Sequence, residues 1–259
     1  MGPIRRKPLI AALVVAHLCA AAVHAQDQGS AAADNGTDPS KVSSSATLQW
    51  ERQDLRGGGA VDTLKGLYVV PLGGNKTKLT LGLPVVRNDT LGRGGYDMGD
   101  ATLGISHVYA LTRTHAVVLL GELAFDTAQR PELGAGKTVF KATYVYARFL
   151  SGGDIFAPAL VHSASLGGDR SRAKVNRSVV DLYYVPKLAD PKMFMTLDPA
   201  LSFDWENKKQ FASLAVTLGY VTGPAFGGNS QVFVKPSVNA GGDRPGDWGI
   251  QVGYKVIGF

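Results

Sequence analysis

A chain of 259 residues with a formal net charge of +6 and a single cysteine, Cys19, is long enough for one domain and has no material for a disulfide framework. The charge is modest and mixed in sign, unlike the concentrated basic stripe of a nucleic-acid-binding surface, so nucleic acid is excluded as a partner.

The N-terminal stretch has a basic head, Arg5-Arg6-Lys7, an apolar run from Pro8 to Val15 and small residues ending at Ala25. This pattern predicts a secretory signal peptide over residues 1–25. These residues carry three basic and no acidic side chains, so the rest of the chain holds only +3 of the formal +6. Leu18 stands before Cys19 where a lipoprotein signal needs a small residue, so no lipidated N-terminus is expected. Residues 26–45 are rich in Ala, Ser, Asp, Asn and Gly and read as a disordered periplasmic tail. Residues 46–259 then form the domain.

From there the dominant period is two. Met193, Met195, Leu197, Pro199, Leu201, Phe203 and Trp205 alternate with Thr196, Asp198, Ala200, Ser202, Asp204 and Glu206; Leu79–Val85 and Leu214–Tyr220 show the same alternation. No segment after residue 25 is apolar enough for a membrane helix. The pattern predicts twelve strands, beginning near Thr47, Thr63, Thr77, Met98, Thr114, Thr138, Ile155, Val175, Lys192, Phe211, Gln231 and Asp247. Most reach the roughly 9 to 11 residues that a tilted strand needs to cross a bilayer. The fold expected is all-β, an antiparallel transmembrane up-and-down barrel of about twelve strands in the outer membrane.

Turns at 73–75, 111–113, 151–154, 188–191 and 222–229 are assigned to the periplasm. The longer, more charged loops at 56–62, 87–97, 126–137, 167–174, 206–210 and 240–246 are assigned to the outside. Trp50, Tyr68, Tyr109, Phe125, Phe149, Tyr184, Trp205, Tyr220 and Trp248 fall near strand ends, as interfacial girdles require. The last strand, Trp248 to Val256, ends near an aromatic, Phe259, resembling the signal read by the barrel-assembly machinery. Phe259 is out of parity with that strand, which asks for a bulge near Gly258 or another register.

Leu83-Pro84, the run Gly99-Asp100-Ala101-Thr102-Leu103-Gly104 leading to Val108-Tyr109-Ala110-Leu111, Gly134-Ala135-Gly136 and the terminal strand resemble the meta-pathway phenol-degradation family of outer-membrane transporters. The resemblance implies a barrel near twelve strands that passes small, often aromatic or hydrophobic molecules.

Charged side chains on the lipid face would cost roughly 2 to 4 kcal/mol near the midplane, so the alternation turns them inward. Lys78, Asp100, Glu122, Lys141, Arg177, Asp181, Asp198, Asp204, Lys235 and Lys255 are therefore the candidate lumen-lining residues. They either line a wet path or pair and plug it. Gly134–Thr138 ends like a phosphate loop, but Pro131 stands where the upstream glycine belongs, so it reads as an outer-loop turn. The Asn-x-Ser/Thr patterns at Asn35, Asn75, Asn88 and Asn176 are assigned no role.

His162, Ser163 and Ser165 raise the idea of a lipid-cleaving Ser-His pair, yet His162 points away from both serines on its own strand; only a serine from another strand, such as Ser106, could meet it. His115 follows a turn and has a structural explanation. No catalytic residue, metal or cofactor is assigned. The first expectation is passive passage of a small-molecule solute, with outer-membrane lipid, lipopolysaccharide and the assembly machinery as partners. The alternatives are a lipid-modifying outer-membrane enzyme, marked by a Ser and His meeting at the outer rim, and a structural or adhesive barrel with a plugged lumen. A secreted β-sandwich is disfavoured because the outward faces are consistently apolar.

Overall fold

The computed structural model describes residues 34–91 and 94–259. The expected signal peptide and residues 26–33 of the expected tail lie outside the described residues.

Alternation of apolar and small or polar residues builds thirteen antiparallel strands: β1 (Ser45–Asp54), β2 (Ala60–Leu72), β3 (Thr77–Asn88), β4 (Asp97–Met98), β5 (Thr102–Leu111), β6 (His115–Ala124), β7 (Lys137–Phe149), β8 (Ile155–Gly168), β9 (Asn176–Val185), β10 (Met193–Asp204), β11 (Lys209–Ala225), β12 (Gly228–Ala240) and β13 (Trp248–Ile257). Each long strand pairs with its sequence neighbours, and β1 pairs with both β2 and β13. With β4 and β5 sharing one place in the wall, the result is a closed twelve-strand barrel without a free edge.

Apart from β4, the strands run from 10 to 17 residues. Large apolar side chains such as Leu48, Leu81, Ile105, Leu160, Leu201 and Leu218 are exposed on the outer wall. In water such a belt would be costly; against hydrocarbon it is the expected surface. The inner wall carries small, polar and charged residues. Its tightest part is a cluster of Val108, Ala116, Val118, Val145, Ala147, Ala157 and Ala159 on β5 to β8.

The strand expected from Met98 is broken. Residues 99–101 leave the ladder between β4 and β5, so β5 pairs with β3 only along Thr77–Gly82. The turn expected over 222–229 is also shorter. β11 and β12 extend past a bulge at Thr222 to a two-residue reversal at Phe226 and Gly227, both at positive φ.

The parity problem at the C-terminus resolves at Gly258, where φ is +77°. A side chain there would be strained, and glycine lets the chain swing Phe259 onto the outer face, 6.1 Å from the Tyr68 ring. Ser44 fastens this end: its carbonyl accepts from the Gly258 N–H, and its hydroxyl donates to the Phe259 carbonyl.

Residues 34–44 differ most from expectation. Instead of a disordered tail they form an ordered segment built on two successive side-chain turns. Asn35 Oδ1 accepts from the Thr37 N–H and hydroxyl, and Asp38 Oδ1 accepts from the Ser40 N–H and hydroxyl. Their polar composition is used to fold the segment locally rather than to keep it solvated.

Candidate functional site

The ordered segment enters the barrel at the end with the short turns and crosses the lumen. Lys78 Nζ on β3 donates to the Lys41 carbonyl at 2.9 Å, Tyr183 on β9 donates its hydroxyl to the Thr37 carbonyl at 2.9 Å, and Gln231 Nε2 on β12 donates to the Asn35 carbonyl at 3.0 Å. Val42 packs against the small-residue cluster of β5 to β8. Four alanines there leave the depth that a crossing strand of polypeptide needs. Gly36, at φ +71°, lies against the Lys255 side chain. The segment is thus held from four sides of the wall as a cross-bar.

Between the cross-bar and the inner faces of β1, β2 and β9 to β13 lies a cavity of about 240 Å³. Phe194, Phe233 and Tyr183 give it aromatic surface; Thr47, Gln49, Thr196, Thr217, Lys235, Asp198 and Lys255 give it polar surface. Two of the rings lie flat on the wall because glycine stands beside each. A Cβ on Gly219 would meet the Phe194 ring at 2.0 Å, and one on Gly253 would meet the Phe233 ring at 2.3 Å. The register sets Phe194 opposite Gly219, Gly219 opposite Phe233, and Phe233 opposite Gly253. Ring and gap therefore alternate in one row across the wall.

Nine of the ten sequence-predicted lumen residues lie on strands with inward parity. Lys141 and Glu122, opposite each other on β7 and β6, form an ion pair at 2.6 Å; Lys235 and Asp198 pair at 2.7 Å; Arg177 and Asp204 lie 3.8 Å apart near the long-loop end. Lys78 and Lys255 face the cross-bar and have no ion-pair partner among the described residues. Asp181 is in the same state, with one buried carboxylate oxygen lacking any hydrogen bond; Asp198 has one such oxygen too.

Asp100 is the exception. It sits in the 99–101 break, and its carboxylate accepts the N–H groups of Thr127, Ala128 and Ala135 at 3.2, 3.1 and 2.7 Å. Three loop amides are gathered on one carboxylate, so it organises the loop between β6 and β7. Asp100→Ala should release that loop, read as faster proteolysis within residues 125–136 with the barrel intact; unchanged proteolysis would contradict this assignment.

Lys65 was missed. It points into the lumen on β2, opposite Gln49 and Pro84. The run Leu67-Tyr68-Val69-Val70 beside it is apolar on both faces and hides the alternation that marks the other lysines.

On the outer wall, three histidines are bonded to hydroxyls: His107 to Thr77, His115 to Thr112, and His162 to Ser178. Ser106 faces inward and does not meet His162. Beyond the wall, two charged turns are locally stapled. At Asp154, between β7 and β8, the Lys187 N–H and then the Tyr184 hydroxyl hold the carboxyl below its usual range; at Asp169, before β9, the Ser171 N–H and hydroxyl do the same.

No family model matches the chain, and no curated protein matches it. Solved structures do match in fold. The COG4313 outer membrane channel from Pseudomonas putida F1 superposes with a TM-score of 0.66 at 11% identity, covering 90% of this chain and all of that one. The NanC porin gives 0.58 at 10% identity and the KdgM porin 0.52 at 13%, each over 82% of this chain and 98% of its own length. At these identities the likeness is one of architecture, and this chain has the fold of outer-membrane barrels.

Proposed function

We propose that the chain is an outer-membrane channel for small molecules, with the long loops outside and the short turns in the periplasm. The observation that carries this is the pairing of an apolar outer belt with a polar, charged inner wall around a cavity of about 240 Å³. A wall that served only as a scaffold would have no reason to keep unpaired charge inside. Export through a signal peptide at residues 1–25, delivery by the assembly machinery through the Phe259 end, and residence among lipopolysaccharide complete the reading.

The resemblance of residues 83–111 to the phenol-degradation family and the aromatic rings flat on the cavity wall support small aromatic or hydrophobic cargo. The charges support molecules that are also polar at one end. Asp181 on β9, with no ion-pair partner among the described residues, stands half a circumference from Lys65 on β2 and close to that from Lys78 on β3. Opposed signs across a narrow, low-dielectric passage set up a transverse field, which orients a dipolar solute and favours it over a plain hydrocarbon.

Asp198→Asn should therefore shift the reversal potential toward anion preference and Lys78→Ala toward cation preference, with both barrels folded. Two variants with the parent's selectivity would remove these residues from the path. The cross-bar and the lumen ion pairs Lys141–Glu122 and Lys235–Asp198 favour a closed barrel instead.

A further inference from the structure

We propose that Ser178 and His162 form a nucleophile and base on the outer wall, directed at the acyl esters of lipids in the leaflet around the long-loop end. This goes beyond passage through the lumen and uses the opposite face of the wall.

The three outward positions His162, Ser178 and Phe203 are directly opposed across β8, β9 and β10. His162 Nδ1 lies 3.0 Å from Ser178 Oγ. On the other side, Trp205 Nε1–H donates to the same oxygen at 2.9 Å. An indole nitrogen can only donate, so with the imidazole proton on Nε2 the Ser178 hydroxyl is free to donate to Nδ1. This is the hydrogen bond that a base makes with the nucleophile it activates.

The indole is held by stacking on Phe203, centroids 5.8 Å apart, and its backbone by the Trp205 main-chain N–H donating to the Asn176 carbonyl. Ala142, opposite His162 on β7, leaves the imidazole open on its other flank. His162 and Trp205 are exposed and Ser178 is half-buried between them on the outward face, so a lipid ester approaches the group from the leaflet. His107 and His115 also bond to hydroxyls, but Thr77 has no second donor aimed at its oxygen, and Thr112, which accepts the Thr114 and His115 N–H groups, sits in the tight turn before β6 and is bonded within that turn.

In the reaction, Ser178 Oγ bonds to the ester carbonyl carbon as its proton passes to His162. The indole N–H, beside Oγ, is the donor placed to meet the developing oxyanion. The ester C–O bond then breaks, and His162 returns the proton to the departing alcohol, leaving the acyl group on Ser178. Water, losing a proton to His162, releases a free fatty acid and restores the serine. No carboxylate reaches the imidazole among the described residues, so turnover is slow and a covalent probe is the sensitive readout.

The test is to refold the full chain in mixed micelles, treat it with an alkyl fluorophosphonate and map the adduct by mass spectrometry. Heat-modifiable migration reports folding for the parent, Ser178→Ala and His162→Gln. The proposal requires an adduct on Ser178, its absence in Ser178→Ala, and labelling slowed about 100-fold or more in His162→Gln, as loss of a base implies. Parallel arms with acyl-labelled phosphatidylethanolamine and lipopolysaccharide identify which lipid loses fatty acid. A folded parent that takes no label, a His162→Gln variant labelled at the parental rate, or release from neither lipid would each overturn it. Channel recordings are unaffected by any of these outcomes, so the two readings fail separately.

Discussion

Deleting residues 34–41 raises single-channel conductance at least about two-fold and leaves the barrel folded. The wall does not depend on this segment for its ladder, since β1 begins at Ser45 and closes the barrel through β2 and β13. The segment's attachments are hydrogen bonds from Lys78, Tyr183 and Gln231 to its carbonyls. Such bonds contribute roughly 0.5 to 1.5 kcal/mol each, which is enough to order a cross-bar and too little to hold a barrel together. The deletion also frees Lys255 and Lys78 into the passage, so the larger conductance should come with stronger anion preference. Equal conductance would mean that the constriction lies elsewhere in the lumen.

Gly219→Val should destabilise the barrel through a clash in the inner wall. Its first added carbon would lie 2.0 Å from the Phe194 ring, well inside van der Waals contact. Phe194 is buried and has β11 on one side and the lumen on the other, so the ring must lift off the wall toward the cross-bar. Overpacking of this kind costs about 1 to 3 kcal/mol. The added shift against Tyr183 and Thr37 places the effect at the upper end, about 3 kcal/mol. Phe194→Ala also destabilises by itself, by roughly 3 to 5 kcal/mol, but it removes the clash, so the double variant Gly219→Val, Phe194→Ala should lose less than the sum of the two single variants in a urea titration of the refolded protein. Additive losses in the double variant would show that the strain arises in the backbone and not between these two side chains.

The barrel was legible because one rule governs most of it. Lipid outside and water inside force a period of two, and β10, β11 and the terminal strand carry it almost without interruption. The rule fails where a side chain competes with the ladder. Asp100 satisfies three loop amides and pulls its backbone out of register, so a strand that reads as continuous from Met98 is split. Alternation assigns these charges to the inward face, but it says nothing of which ones pair; Lys235 and Asp198 meet across β11, six residues into one strand and eight into the other, a relation only register supplies.

The cross-bar was hidden for a different reason. Composition marks Asn35-Gly36-Thr37-Asp38-Pro39-Ser40 as poor in apolar residues, which predicts disorder when no surface is offered. The same letters spell two side-chain turns, and the barrel supplies the surface. Two of the Asn-x-Thr patterns, at Asn35 and Asn88, are such turns, with Asn88 Oδ1 accepting from the Thr90 N–H and hydroxyl. The Ser178–His162 contact could not be read along the chain because its partners lie on different strands, 16 residues apart.

The central claim, that the lumen is a path for small molecules narrowed by its own N-terminal segment, is tested most directly by single-channel recording of the refolded protein in a planar bilayer. The account predicts stable conductance steps, interrupted when a small aromatic acid is added and larger in the 34–41 deletion. A barrel that is folded by heat-modifiable migration yet silent both with and without the segment would contradict it.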